Sequence, residues 1–231
     1  MIKVDLVWIF LVIALIICAL VCIVIATITM KKNDSNESFL RTFPYEVADK
    51  KNSLAKIYRP FLYVYAGLCF GPLFDIVPNT NHFNGMQTLG ITIACVFGLA
   101  GLMNAAIHLF EAKFTKVHTI AATISFMLSF LASGLTCLFA ILVYKSNSIL
   151  GESNIASLIL AIIAGLIAIA ILIITLNPKL KDWPRLEGVK QEDGTITYAR
   201  PKIFWLAFSE WLVMGAGIIA EIVFYLSFIK L

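Results

Sequence analysis

Charge is scarce in this chain. Asp, Glu, Lys and Arg supply 14% of its 231 residues, against about 25% in an ordinary soluble domain. That shortage excludes a soluble enzyme, and with 60% hydrophobic residues it also excludes a disordered chain. Glycine and proline, 13 and 7 residues, are too few for a collagen-like fibre. The five cysteines, Cys18, Cys22, Cys69, Cys95 and Cys137, form no CxxC pair, so neither a zinc site nor a redox motif is indicated. All five fall in apolar runs, which excludes a disulfide-stapled secreted domain and leaves them as small hydrophobes. Glycine-rich phosphate loops and nucleotide motifs are missing too, and no cofactor, metal or nucleic acid is called for. Alternating ten-residue strands, the mark of a membrane β-barrel, are not found.

What is present is a set of long apolar runs. A helix crossing a hydrocarbon core of about 30 Å needs roughly 20 mostly apolar residues. Six segments qualify: 6–30, 60–78, 89–110, 117–144, 155–176 and 203–229. The expected fold is therefore all-α, a single six-helix membrane domain over residues 1–231, with polar loops at 31–59 and 177–202. Val24-Ile25-Ala26 resembles a signal cleavage site, but the first run, 25 residues without a charge, exceeds the 7–15-residue (approximate) core of a signal peptide. It reads as a helix. Gly71-Pro72 is expected to bend the second helix, because proline removes a donor and crowds the preceding turn. A short hairpin is expected around Gly194, with Thr195–Tyr198 as one strand.

Six spans place alternate loops on alternate sides. The segments Lys31–Arg59, Glu111–Lys116 and Asn177–Lys202 hold 15 of the 18 Lys and Arg residues, and the other side holds Lys3, Lys145 and Lys230. Positive residues favour the cytoplasm, which puts both termini outside and both long loops inside.

Ionisable groups in apolar spans are costly to bury and read as functional positions. Glu210 and Glu221 lie on helix six, about 16 Å apart along its axis and nearly in line. They can act as a relay or as hydrogen-bond acceptors for neighbouring helices. Asn104 and His108 share a face of helix three, and His118 opens helix four at the same surface. With Glu210 and the adjoining Trp211, these residues form a predicted polar intramembrane pocket at that leaflet. Two His and one carboxylate lack any zinc spacing. Ser125, Ser129 and Ser133 on helix four, Gly98 and Gly101 on helix three, and the Ala161/Gly165 and Ala164/Ala168 pairs on helix five read as close-packing surfaces. Trp8, Tyr58, Trp205 and Tyr225 lie near span ends, where aromatic side chains anchor helices at the interface.

Four pieces, in order, resemble the DRAM/FRAG/SFK family of six-helix membrane proteins. They are Phe43-Pro44-Tyr45 with Asp49; Leu89-Gly90 with Gly101-Leu102; Val117-His118 with Ala121 or Ala122 and with Phe126; and Glu210-Trp211. The first is similar to the family's Pro-Tyr-Ile-Ser-Asp signature, with Glu46 and Val47 in place of Ile-Ser. The resemblance implies a multi-pass protein of lysosomal, Golgi or plasma membrane. It implies links to autophagy, to lipid remodelling of GPI anchors and to phospholipid organisation. It also implies cytosolic termini, the reverse of the charge count.

Three functions follow as expectations. The first is a non-enzymatic regulator that binds lipid or recruits protein partners through loops 31–59 and 177–202. The lack of a nucleophile–base motif favours it. The second is a lipid-modifying enzyme using His108, His118 and Glu210. The third is a proton-coupled transporter using Glu210 and Glu221, although no repeat of the kind common in transporters is visible.

Overall fold

A computed structural model describes residues 2–33, 37–49, 53–78, 86–107, 115–149, 155–182, 187–190 and 195–228. His108 and the Asp49 side chain, both singled out in the sequence, lie outside the described residues. The described chain is almost entirely helical: α1 (Ile2–Asn33), α2 (Pro44–Asp49), α3 (Ser53–Cys69), α4 (Leu73–Ile76), α5 (Gln87–Ile107), α6 (Thr115–Ile149), α7 (Ile155–Thr175) and α8 (Trp205–Phe228). A 3-10 turn at Pro178–Asp182 and an antiparallel hairpin, β1 (Glu187–Lys190) with β2 (Ile196–Ala199), connect α7 to α8. The hairpin agrees with the turn signal at Gly194; β2 begins one residue later than expected.

Five helices, within α1, α5, α6, α7 and α8, are long and apolar enough to cross a membrane. The run expected at 60–78 behaves differently. Its helix starts at Ser53, continues through Pro60 and stops at Cys69 after 17 residues. Lys56 and Arg59 keep the first turns out of the apolar run without keeping them out of the helix, because apolarity tracks lipid contact and helicity tracks the backbone. At the other end the helix stops before Gly71-Pro72, where a bend is expected, and a one-turn α4 follows. Gln87 Nε2 donates to the carbonyls of Ile76, at 2.9 Å, and Val77, at 3.4 Å, where α4 ends.

The long helices neighbour one another in the order α1, α3, α5, α6, α7, α8 and back to α1, with α8 also touching α5 and α6. On α1 the inward stripe is Trp8, Leu11, Leu15, Cys18, Ile25, Ala26 and Met30, while Leu6, Phe10, Ile13, Ile17, Leu20 and Val24 are exposed. On α7 the buried residues are small, Ser157, Ala161, Ala164 and Ala168, joined by Ile171. Such residues let α7 approach its neighbours closely.

Glycines set the α3–α5 distance. A Cβ on Gly101 would meet the Cα of Ala66 at 3.2 Å and Cys69 Sγ at 3.0 Å, and one on Gly98 would overlap the Phe70 ring at 2.2 Å. The expected aromatic anchors are mostly not at a surface. Trp8, Tyr58 and Tyr225 are 0% exposed, because each lies on an inward stripe. Trp8 stacks on Phe228 at 4.2 Å and meets Tyr225 edge-on at 5.8 Å. Trp205 alone of the four is partly exposed.

Candidate functional site

The segment 37–49 is strapped across the start of α8. Phe43-Pro44-Tyr45-Glu46 dictates how the strap ends in a helix. Pro44 takes the first helical position, where its missing N–H costs nothing. Glu46, two residues on, reaches back so that its Oε2 accepts the Phe43 N–H at 3.0 Å, half of a capping box. The same carboxylate binds Arg200 in a bidentate pair, at 2.6 and 2.7 Å.

Further bonds fasten the strap. Arg200 Nη1 donates to the Arg41 carbonyl at 3.0 Å and Arg41 Nη2 to the Arg200 carbonyl at 2.6 Å. The Phe204 N–H donates to Leu40 O and Trp211 Nε1 to Thr42 O, both at 2.8 Å. The guanidinium of Arg200 lies 5.5 Å from the Phe43 ring centre and 5.4 Å from that of Phe204. Hydrogen bonding to Glu46 raises the Arg200 pKa from an already high value, against the opposing effect of burial, so this side chain stays charged.

Beneath the strap sit most of the residues predicted to form a pocket. Tyr45 lies flat on His118, with ring centres 4.1 Å apart and planes 11° from parallel. Asn104 Oδ1 accepts a hydrogen bond from Ser125 at 2.9 Å, tying α5 to α6. Asn104 and Glu210 share a void of about 10 Å³ closed by Pro44, Ala122 and Phe126, room for about one water. Glu210 also borders a larger cavity of about 380 Å³ formed by α6, the end of α7, the 3-10 turn and the start of α8. Its wall carries Thr119, Thr123, Thr175 and Asn177 among apolar Phe126, Leu176, Leu180 and Leu206. Thr123 and Leu176 are exposed, so the cavity is open on their side. Glu210 itself is 6% exposed. No described residue forms a hydrogen bond or ion pair with its carboxyl group.

The structure therefore brings Asn104 and Glu210 together on one void and sets His118 under Tyr45, but it separates Trp211. That indole faces the strap, edge-on to Phe39 at 4.8 Å, and borders a different, apolar slot between α1, α3 and α8. Glu221 belongs to a second cluster at the far end of α8. It is 0% exposed and accepts hydrogen bonds from Tyr225 Oη and, at 3.2 Å, from Cys69 Sγ. Nearby, Trp8 Nε1 donates to Asp75 Oδ2 at 3.0 Å. Buried Val213, Gly217 and Ala220 lie along α8 between the two glutamates.

Sequence reasoning missed Glu46–Arg200, Trp8–Asp75 and Cys69–Glu221. Glu46 had a local signal, its place after Pro44. The other pairings join residues 67 or more apart in sequence and had none. Among the described residues no three His, Cys, Asp or Glu side chains gather as metal ligands. No protein-family model, curated protein or solved structure matches the chain, so what it does has to be read from its own residues.

Proposed function

We propose that this protein is an integral membrane protein of six spans which binds a membrane lipid in the cavity beside Glu210 and acts by organising lipid or recruiting partners, without catalysis. Five helices meet the length and apolarity of a span. The α3–α4 pair is the sixth. Its first 17 residues rise about 26 Å, and α4 adds a turn beyond the break. The outward faces support insertion: Leu6, Phe10 and Ile17 on α1, and Ile162, Leu166, Ile169 and Ile173 on α7, are exposed. Contiguous apolar surface on that scale is unusual for a soluble monomer. The strap joins loop 31–59 to loop 177–202, so the two segments that carry 13 of the 18 Lys and Arg residues share one end of the bundle. That end is assigned to the cytosol by the charge rule. The resemblance to the DRAM/FRAG/SFK family supports a role in lipid organisation or autophagy at an endomembrane or the plasma membrane.

One observation carries the lipid site: a nearly buried carboxyl group, without a hydrogen-bond or ion-pair partner among the described residues, borders a cavity that is open on one side. Removing a charge from water costs several kcal/mol unless it is paired, so a bound group that pairs with Glu210 has a clear energetic role. Native mass spectrometry of gently extracted, monodisperse wild type and Glu210→Gln tests this. Wild type is expected to retain a lipid that the variant loses. Identical lipid-free spectra would reduce Glu210 to a packing residue and shift attention to the two loops.

A further inference from the structure

The polar groups around the 380 Å³ cavity are not arranged evenly, and their arrangement selects a ligand. The groups that the helices contribute here are acceptors. Glu210 offers its carboxyl oxygens. The Thr123 hydroxyl hydrogen is used on the Thr119 carbonyl, at 2.8 Å, and that of Thr175 on the Ile171 carbonyl, also at 2.8 Å. Both hydroxyl oxygens are left with lone pairs. At the loop end the character reverses. Asn177 Oδ1 is occupied by the Lys179 N–H at 3.0 Å, which leaves its amide hydrogens as donors. Lys179 follows on the 3-10 turn, with its ammonium 4.8 Å from the centre of the Trp205 ring.

Resting on the lipid reading above, we infer that the cavity selects a lipid whose headgroup carries a primary ammonium next to a phosphate, the phosphoethanolamine type. An ammonium has three donors and no acceptor, which matches the carboxylate of Glu210 and the two threonine oxygens. The phosphate then falls toward the Asn177 amide and Lys179. A trimethylated head keeps the charge but has no N–H donors, and an anionic head without an amine brings hydroxyl donors but no positive charge to Glu210. The acyl chains have an apolar path along exposed Ile120, Ile124 and Met127 on α6.

The test uses full-length protein stripped of lipid in detergent and titrated, by native mass spectrometry, with phosphatidylethanolamine, phosphatidylcholine and phosphatidylglycerol of identical chains. Wild type is expected to hold phosphatidylethanolamine roughly tenfold more tightly than the other two, a difference of about 1.4 kcal/mol. Glu210→Gln is expected to reduce that preference to less than about twofold, and Glu210→Asp to restore part of it. Should Glu210→Gln be poorly folded, Thr123→Val keeps the carboxylate and removes one acceptor, and the preference is expected to fall about threefold. Equal retention of all three lipids by wild type, lost in Glu210→Gln, would overturn the ammonium assignment and leave the lipid site standing. No retention of any lipid would overturn both. Soluble phosphoethanolamine competing as well as the lipid would show that the ligand is a free amine and overturn the membrane source.

Discussion

Glu210 and Glu221 lie on one helix in opposite circumstances. Glu221 accepts hydrogen bonds from Tyr225 and Cys69 in a closed interior, whereas Glu210 has an open cavity on one side and no described partner. Glu221 is thus a fastening between α8 and α3. Glu221→Gln keeps an acceptor oxygen and is expected to change stability by less than about 1 kcal/mol. Glu221→Leu strands the Cys69 thiol, while the Tyr225 hydroxyl keeps the Leu68 carbonyl at 2.9 Å, and it is expected to cost about 1–3 kcal/mol. Unfolding curves in a fixed detergent distinguish the two, and equal losses would show that packing volume and not hydrogen bonding is at stake.

The strap pair responds to a different variable. Side chains 35% and 16% exposed are partly screened by water. Glu46→Gln is therefore expected to cost about 1–2 kcal/mol at low salt. That loss should shrink in about 1 M salt. A loss independent of salt would mean that the helix cap on Phe43, which Glu46 also makes, dominates. Because Arg200 is held above its usual pKa by Glu46, its contribution is fully present below the unfolded arginine pKa. It is lost only as pH rises through the higher folded value. Melting curves taken from pH 7 to 9 should therefore show no loss of the strap from the arginine side.

Helix contacts depend on a few positions without side chains. Gly101 faces Ala66 backbone, which cannot swing aside, so Gly101→Leu is expected to push α3 from α5 and cost about 2 kcal/mol or more. Gly134, on α6, has no atom within 4 Å of where a Cβ would be. Gly134→Ala is expected to be neutral or to stabilise by up to about 1 kcal/mol, through helix propensity alone. Thermal midpoints of the two variants side by side check the contrast. A neutral Gly101→Leu would mean that α3 and α5 are not held at the distance described.

For the whole molecule, the joined loops make a topological prediction. Single cysteines introduced at Lys56 and Lys190, in a background lacking the native five, are expected to react with an impermeant thiol reagent only from the cytosolic side. A cysteine at Lys145 should react only from the opposite side. Lys56 and Lys190 labelled from different sides would contradict the strap itself. Both labelled from outside the cytosol would reverse the assigned orientation and favour the one that the family resemblance implies.

The helical class, the positions of the long helices and a distortion at Gly71-Pro72 were legible in the sequence, because apolar run length and proline act locally; that the distortion ends the helix was not. The small-residue stripes on α5 and α7 were legible for the same reason. Loop connectivity fixes which helix ends share a surface, so spacing on single helices set Asn104, His118 and Glu210 at one end of the bundle, and Asn104 and Glu210 line one void there. Tertiary structure alone decided the rest. It buried Trp8, Tyr58 and Tyr225, placed early as surface anchors, because closeness to a span end says nothing about which way a residue faces. It turned Trp211 away from its neighbour Glu210, since successive helix residues lie about 100° apart and face different partners. It joined Glu46 to Arg200 across 154 positions, a pairing that no local pattern encodes. And it left Glu210 without a described partner beside a cavity, because whether a buried charge is matched depends on every element packed around it.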